Sequence, residues 1–308
     1  MSQELKKPIG NSTQKKHFVI AHNVHAGRSQ KKVRTRIEDF FKKRGYSYEF
    51  IELENCNWQE IAAKAHSYDE VRFIAAGGDG TLRLVFQKLW EHKLLDMCPV
   101  AFLPLGSANV TALSFKLPFG LTQGLRRAVK GKAKPVDLGL VNNEHIFFIM
   151  VSFGTISRIV VETKRNTKKR FGVFAYLLSL PSLLAHAYET EKFEMATTHT
   201  LKEEMHSVII CNHLNIVGLS PARGIAPDDK NLHCITLHNK TPWGFLRGAH
   251  DFYLTTSDSK VLRHSRFQKE SYTFNNFKGV VHIDGDTFSD LGATVEFSIL
   301  PHAARLVV

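Results

Sequence analysis

Four short apolar runs, His17–His22, Tyr48–Leu53, Val71–Ala76 and Val100–Leu103, are rich in β-branched and aromatic residues and read as buried strands. Between them the apolar period changes. Val33, Ile37, Phe40 and Phe41 recur on one face and predict a helix over Ser29–Arg44, with Gly45 at its stop. Trp58–Ser67 and Thr81–Glu91 repeat the pattern, the latter with Leu82, Val85, Phe86 and Leu89 on one face. Strands and helices that alternate at this spacing predict a parallel sheet with helices on both faces. Ligands of such sheets bind at the carboxyl ends of the strands.

The pattern changes after Lys134. Val136–Val141, His145–Val151, Lys192–Thr197, Ser207–Cys211, His233–Leu237, Glu270–Phe274, Val280–Ile283 and Val295–Ile299 read as strands. A helix is expected over Phe171–Tyr188, and a turn near Trp243–Ala249. The fold class expected is α/β plus β: an N-terminal parallel α/β domain over residues 17–134, then a mainly antiparallel β domain over 135–308, whose last residues can return to the first. Residues 1–16 are polar and read as a disordered lead-in.

Composition narrows the classes of function. Cys56, Cys98, Cys211 and Cys234 lie far apart, which excludes a disulfide scaffold or a Cys-rich zinc site and fits a reducing cytosol. The 16 histidines are dispersed without metal-binding spacing. Met1–Lys16 lacks the apolar centre of a signal peptide, and Phe171–Tyr188 is too short and interrupted to span a bilayer. The net charge of +12 favours anionic partners. Lys164, Arg165, Lys168, Lys169 and Arg170 precede the apolar segment and suit peripheral contact with an anionic membrane surface. A solvated basic loop beside a core helix explains them equally well. No aromatic-basic RNA signature or helix-turn-helix pattern appears, so nucleic acid is not an expected partner. A homodimer is left open.

The sharpest chemical signal is Gly77-Gly78-Asp79-Gly80-Thr81, between a buried strand and a helix. Glycines there let the backbone approach a phosphate, and the helix N-terminus offers N–H donors and a positive dipole end. Asp79 supplies a carboxylate for Mg²⁺, and Thr81 a hydroxyl that can cap the helix or bond a phosphate. Neither the P-loop nor the dinucleotide pattern is present. Asp284-Gly285-Asp286, taken alone, reads as a hairpin turn.

The GGDGT stretch resembles the signature of the diacylglycerol kinase, sphingosine kinase and NAD kinase superfamily. Asn23-Val24-His25-Ala26-Gly27 is similar to the Asn-Pro-x-Ala/Ser-Gly motif of lipid kinases, with Val24 in place of Pro. Pro104-Leu105-Gly106-Ser107-Ala108-Asn109 resembles their Pro-x-Gly-Thr-x-Asn-Asp segment, with Ser107 for Thr and Val110 for the final Asp. Val136–Gly139, Lys169–Tyr176 and Asn212…Gly218…Ala226-Pro227 continue the likeness, and the turn at Asp228–Asn231 is shortened. His282–Asp286 resembles a strand end that carries Asp-Gly-Glu. The resemblance is to the bacterial type of diacylglycerol kinase catalytic domain. It implies an ATP- and Mg²⁺-dependent kinase for diacylglycerol or a related lipid alcohol, cytoplasmic and peripherally membrane-associated. It implies that Asn23, Gly27, Gly77, Gly78, Asp79, Gly80, Thr81, Gly106, Ser107 and Asn109 hold the nucleotide. Asp284 would be the base, Asp286 its catalytic neighbour, and Asp79 with Asp286 the metal carboxylates. Asn at position 284 is expected to preserve the turn with little change in stability. The alternatives are a sphingoid-base or NAD kinase-like enzyme, or a non-catalytic lipid- or nucleotide-binding relative.

Overall fold

The computed structural model describes residues 16–24, 31–53, 55–154, 157, 193–197, 203–214, 224–238, 241–277, 279–288 and 291–308. The expected helix at Phe171–Tyr188, the basic run before it, Gly218 and the lead-in up to residue 15 lie outside these.

The first half is the predicted alternation. Strands β1 (Lys16–His22), β2 (Ser47–Ile51), β3 (Glu70–Gly77) and β4 (Val100–Pro104) run parallel in the order β2-β1-β3-β4. Side chains alternate between the faces, so each face builds its own core. Val19, Ala21, Phe73 and Ala75 pack under α2 (Trp58–Ser67) and α3 (Asp79–Glu91). Phe18, Ile20, Ile74 and Ala76 pack under α1 (Lys31–Lys42) and α5 (Leu121–Lys130). Gly45 follows α1 at φ +64°, a left-handed value that suits a helix stop.

Helix α5 and the short α4 (Val110–Ser114) have no counterpart in the sequence reading. Gly124 sits inside α5, where glycine normally weakens a helix. Here it allows close approach to the sheet, since a Cβ would come within 2.8 Å of Leu103. The C-terminal carbonyls of α5 are capped from β3. Arg72 is buried and donates from Nη1 to Ala128 O at 2.7 Å and Val129 O at 3.2 Å, while Nη2 meets Glu70 at 2.7 Å.

The strands after residue 134 divide between two sheets. β5 (Ala133–Val141), β6 (His145–Phe147), β8 (Phe193–Thr197), β9 (Glu203–Met205), β13 (Lys269–Asn275) and β16 (Thr294–Val307) extend the first sheet. β16 also pairs in parallel with β4, at Leu306 and Val100. The second sheet is antiparallel, in the order β12-β11-β10-β7-β14-β15: Leu262–Phe267, Leu232–Leu237, Ser207–Cys211, Met150–Gly154, Val281–Ile283 and Asp286–Phe288. The single strand expected over His145–Val151 is therefore two. β6 ends at Phe147 in one sheet, and β7 begins at Met150 in the other. The turn expected near Trp243–Ala249 is instead a helix, α6 (Pro242–Leu254), capped by Thr241 Oγ1 accepting from the N–H of Gly244 at 3.0 Å. No helix among the described residues is long and apolar enough to cross a membrane.

A buried carboxylate fastens the return of the chain. Asp137, wholly shielded from water, accepts the N–H of Lys230 and the N–H of His302, both at 2.6 Å. His302 lies at the irregularity of β16 between Leu300 and Ala304, and Lys230 lies in the turn before β11. Asp229 organises that turn, accepting the N–H of Asn231 at 2.9 Å and meeting His233 Nε2 at 2.7 Å. Removing a buried acceptor strands its donors at about 1–3 kcal/mol each. Asp137→Ala is therefore expected to lower stability by about 2–4 kcal/mol, read as a fall in the urea midpoint. An unchanged midpoint would show that Lys230 and His302 find other acceptors at no cost.

Candidate active site

The glycine turn joins β3 to α3. Gly78 occupies the N-cap of α3 with no side chain to satisfy the first N–H groups, and Asp79 is the first residue of the helix. The 105–109 loop lies directly on it. Gly77 O accepts the N–H of Leu105 at 2.7 Å and of Gly106 at 3.0 Å. A Cβ on Gly106 would stand 2.5 Å from the Gly78 Cα, so the two backbones can meet only because position 106 is glycine. Gly77 is packed equally tightly against Thr81.

Asn109 holds the second loop in shape. It is buried at φ +50°, accepts the N–H of Gly106 at 3.0 Å and donates to Gly106 O at 2.8 Å. The chain then turns into α4, whose first N–H groups point at Asp79. Its Oδ2 accepts from Val110 and its Oδ1 from Thr111, each at 3.0 Å. Residue 110 thus contributes its backbone N–H, which any side chain at that position leaves in place. Burial pushes the Asp79 carboxyl above its usual range despite these bonds. Asn23, just after β1, donates from Nδ2 to Thr81 Oγ1 at 3.3 Å, and its N–H bonds Ala76 O at 3.0 Å. Ser107 is partly exposed on the same loop, and Gly27 lies outside the described residues.

The hairpin of the second sheet reaches this turn. Ile283 pairs with Asp286, so Asp284-Gly285 form a two-residue turn, with φ +48° and +87°. Positive φ at both positions is the type I′ geometry that Asp-Gly favours. The left-handed backbone turns the Asp284 carboxylate inward. Oδ2 accepts the N–H of Phe148 at 2.6 Å, and Oδ1 those of Ile149 at 2.8 Å and Met150 at 2.9 Å. These are the residues at which the chain crosses between sheets. Burial outweighs the three bonds and pushes the Asp284 pKa up to about 6. Asp286 lies over the glycine turn, its carboxylate oxygens 3.3 Å from where a Cβ on Gly80 would be.

Three residues that the sequence reading passed over belong to this assembly. Arg83 on α3 is buried and donates to Asp286 Oδ2 from Nη2 at 2.9 Å and from Nε at 3.3 Å. One turn on, Gln87 donates to Glu144 O at 2.8 Å and accepts the N–H of Ile146 at 2.7 Å. His213 is buried with its ring 4.7 Å from that of Phe148, and burial lowers its pKa to about 4. The spacing of Arg83 and Gln87, four residues apart on a helix, is the available signal that both meet one surface.

Among the described residues no three His, Cys, Asp or Glu side chains cluster as a metal cage. The two carboxylates on the glycine turn are a different case. Each already has partners: Asp79 accepts the N–H groups of Val110 and Thr111, and Asp286 accepts from Arg83.

This stretch of chain is one that known proteins share. Residues 16–141 match the family model of the diacylglycerol kinase catalytic domain. A protein of Serratia proteamaculans named a probable YegS-like lipid kinase is 38% identical over 105 residues, 34% of this chain and 34% of the relative. Its counterpart in Enterobacter sp. is 37% identical, over 34% of this chain and 35% of the relative. The matched stretch thus spans about a third of the length of these relatives. A crystal structure of a diacylglycerol kinase from Bacillus anthracis superposes with a TM-score of 0.66 at 15% identity, covering 96% of this chain and 97% of that one. At that identity the likeness shows the fold alone.

The three N–H groups around Asp284 overturn the expectation that asparagine is innocuous at this position. Asn would set an NH₂ donor against backbone donors and lose at least one bond. Asp284→Asn is expected to lower stability by about 2–3 kcal/mol. The pH dependence follows from the raised pKa of about 6. The folded state holds this proton more tightly than the unfolded chain, whose carboxyl titrates near about 4. Stability from this group is therefore full below about pH 4 and lost as the pH rises through about 6. Urea unfolding should show a wider gap between wild type and variant at about pH 4 than at about pH 7. An equal gap at both would contradict the assignment.

Proposed function

We propose that the protein transfers the γ-phosphoryl group of ATP to the hydroxyl of diacylglycerol or a related lipid alcohol, working in peripheral contact with an anionic membrane surface. The meeting of the Asp284–Asp286 hairpin with the Gly77–Thr81 turn carries this reading. It sets a carboxylate pair against a helix N-terminus suited to phosphates, on a chain whose residues 16–141 match the diacylglycerol kinase catalytic domain model. The kinase activity fits the names of the bacterial relatives, probable lipid kinases.

In this reading the nucleotide phosphates lie along the N-terminus of α3, between Asn23 and the Gly106 loop. Phosphoryl transfer asks chiefly for positioning and charge neutralisation. Asp79 and Asp286 would hold Mg²⁺, which offsets phosphate charge when bound. Arg83 keeps Asp286 over Gly80 and compensates its charge. A carboxylate has about four lone-pair sites, and three N–H groups occupy those of Asp284 unequally. Oδ2 carries one donor and keeps a site for the acceptor hydroxyl. As that hydroxyl oxygen bonds to phosphorus and the bond to the ADP oxygen breaks, the proton passes to Asp284. A pKa raised to about 6 makes it a better acceptor than an ordinary carboxylate.

The test is transfer of labelled phosphate from ATP to diacylglycerol in mixed micelles with Mg²⁺. The wild type should catalyse it, and Asp284→Asn should lose at least about a hundredfold in rate while calorimetric ATP affinity stays within about twofold. Gly106→Ala should do the reverse first, weakening ATP binding because its Cβ displaces the Gly78 backbone. Absence of transfer to any lipid alcohol by the wild type would remove this reading. Full activity in Asp284→Asn would remove the role given to that carboxylate.

A further inference from the structure

Helix α6 carries a stripe that folding does not explain. Trp243, Arg247, His250 and Leu254 follow one another at helical spacing and share a face. All face water: Trp243 is 79% exposed and Leu254 71%, with Arg247 and His250 side chains at 65% and 52%. Among the described residues the exposed large hydrophobics are these two, Val24 and Phe119. The opposite face of α6 already does the packing. Phe252 is buried in the core with Leu237 and Leu262, and a Cβ on Gly248 would stand 3.0 Å from Leu237.

The charges on the helix are arranged to match. Its one acidic residue, Asp251, is buried and takes Arg247 Nε at 3.0 Å and His250 Nδ1 at 3.1 Å. The outward stripe therefore presents a large aromatic, a guanidinium, an imidazole and a leucine, and no carboxylate, on a chain of net charge +12. Amphipathic aromatic and basic side chains together suit the boundary between anionic headgroups and acyl chains.

We propose that this stripe of α6 is the surface by which the protein docks on an anionic bilayer, with Trp243 and Leu254 entering the headgroup boundary. The proposal rests on the lipid kinase reading for its purpose, and it names where the contact occurs. Its position suits that purpose. α6 packs on β11 and β12, at one edge of the second sheet, and β14, which leads into the Asp284 turn, is four strands from β12. At about 4.8 Å per strand this is about 19 Å. Phe252 of α6 shares its core with Phe148 and Ile149, so helix and acceptor carboxylate lie on one packed body.

The experiment sediments the full chain with vesicles of phosphatidylcholine alone or mixed with phosphatidylglycerol. The wild type should bind the mixed vesicles preferentially. The double variant Trp243→Ser, Leu254→Ser should lose at least about tenfold in partition coefficient, since each side chain surrenders buried apolar area. Phosphorylation of a soluble short-chain diacylglycerol should be unchanged. Quenching of tryptophan emission by brominated acyl chains should disappear in Trp243→Phe. Equal partition of variant and wild type, or no vesicle binding by the wild type, overturns the proposal. So does a concentration-dependent dimer that the double variant abolishes in the absence of vesicle binding, which would make a second copy the occupant. If soluble lipid is not phosphorylated yet partition falls as stated, the kinase reading fails and the docking surface stands.

Discussion

Three successive backbone N–H groups, those of Phe148, Ile149 and Met150, converge on the carboxylate of Asp284 where the chain leaves one sheet for the other. Consecutive N–H groups cannot all enter a ladder at such a crossing, and unpaired in the interior each would cost about 1–3 kcal/mol. One side chain satisfies all three, and only a carboxylate has enough acceptor sites. A left-handed backbone at Asp284 aims it there, and Gly285 completes the turn that makes this possible. The same two residues thus serve as hairpin and as anchor, so the turn and carboxylate readings of Asp-Gly describe one object.

Much of the site follows from that anchor. With the hairpin fixed, Asp286 falls over Gly80, and Arg83 rises from α3 to meet it. Asp79, beside it, is committed to the first N–H groups of α4. The start of α4 and the hairpin are thereby held by carboxylate-to-backbone bonds, and the Gly106 loop by Gly77 O and the Asn109 amide. Such an arrangement is rigid and keeps negative charge close to a helix N-terminus, where the dipole favours it. Arg83 supplies the compensating cation without exposing it.

The sheet alternation and the glycine turn were legible because their signals are local: a change of apolar period, and three glycines between strand and helix. The split at 148–149 was not. His145–Val151 is apolar almost throughout, and the chain is buried on both sides of the crossing, so no change of pattern marks it. Arg83 and Gln87 fall outside the apolar face of α3, and helical period cannot show that a distant hairpin will cover them. α6 had its start signal, Thr241 before Pro242, but Gly244 and Gly248 lowered its helical character. The motifs located the carboxylates, and their partners came only from tertiary packing. For Asp79 and Asp284 each partner is a backbone N–H, and sequence carries no mark of which amide will be left over.

Amide hydrogen exchange at Phe148, Ile149 and Met150 tests the anchor most directly. All three amides should be strongly protected in the wild type, because their acceptor is a buried carboxylate. In Asp284→Ala their exchange should accelerate by at least about tenfold beyond that of the β10 amides Val208 and Ile210, which belong to the same sheet and report its global opening. Uniform acceleration across all five amides, or rates unchanged from wild type, would contradict the claim that Asp284 holds the crossing between the two sheets.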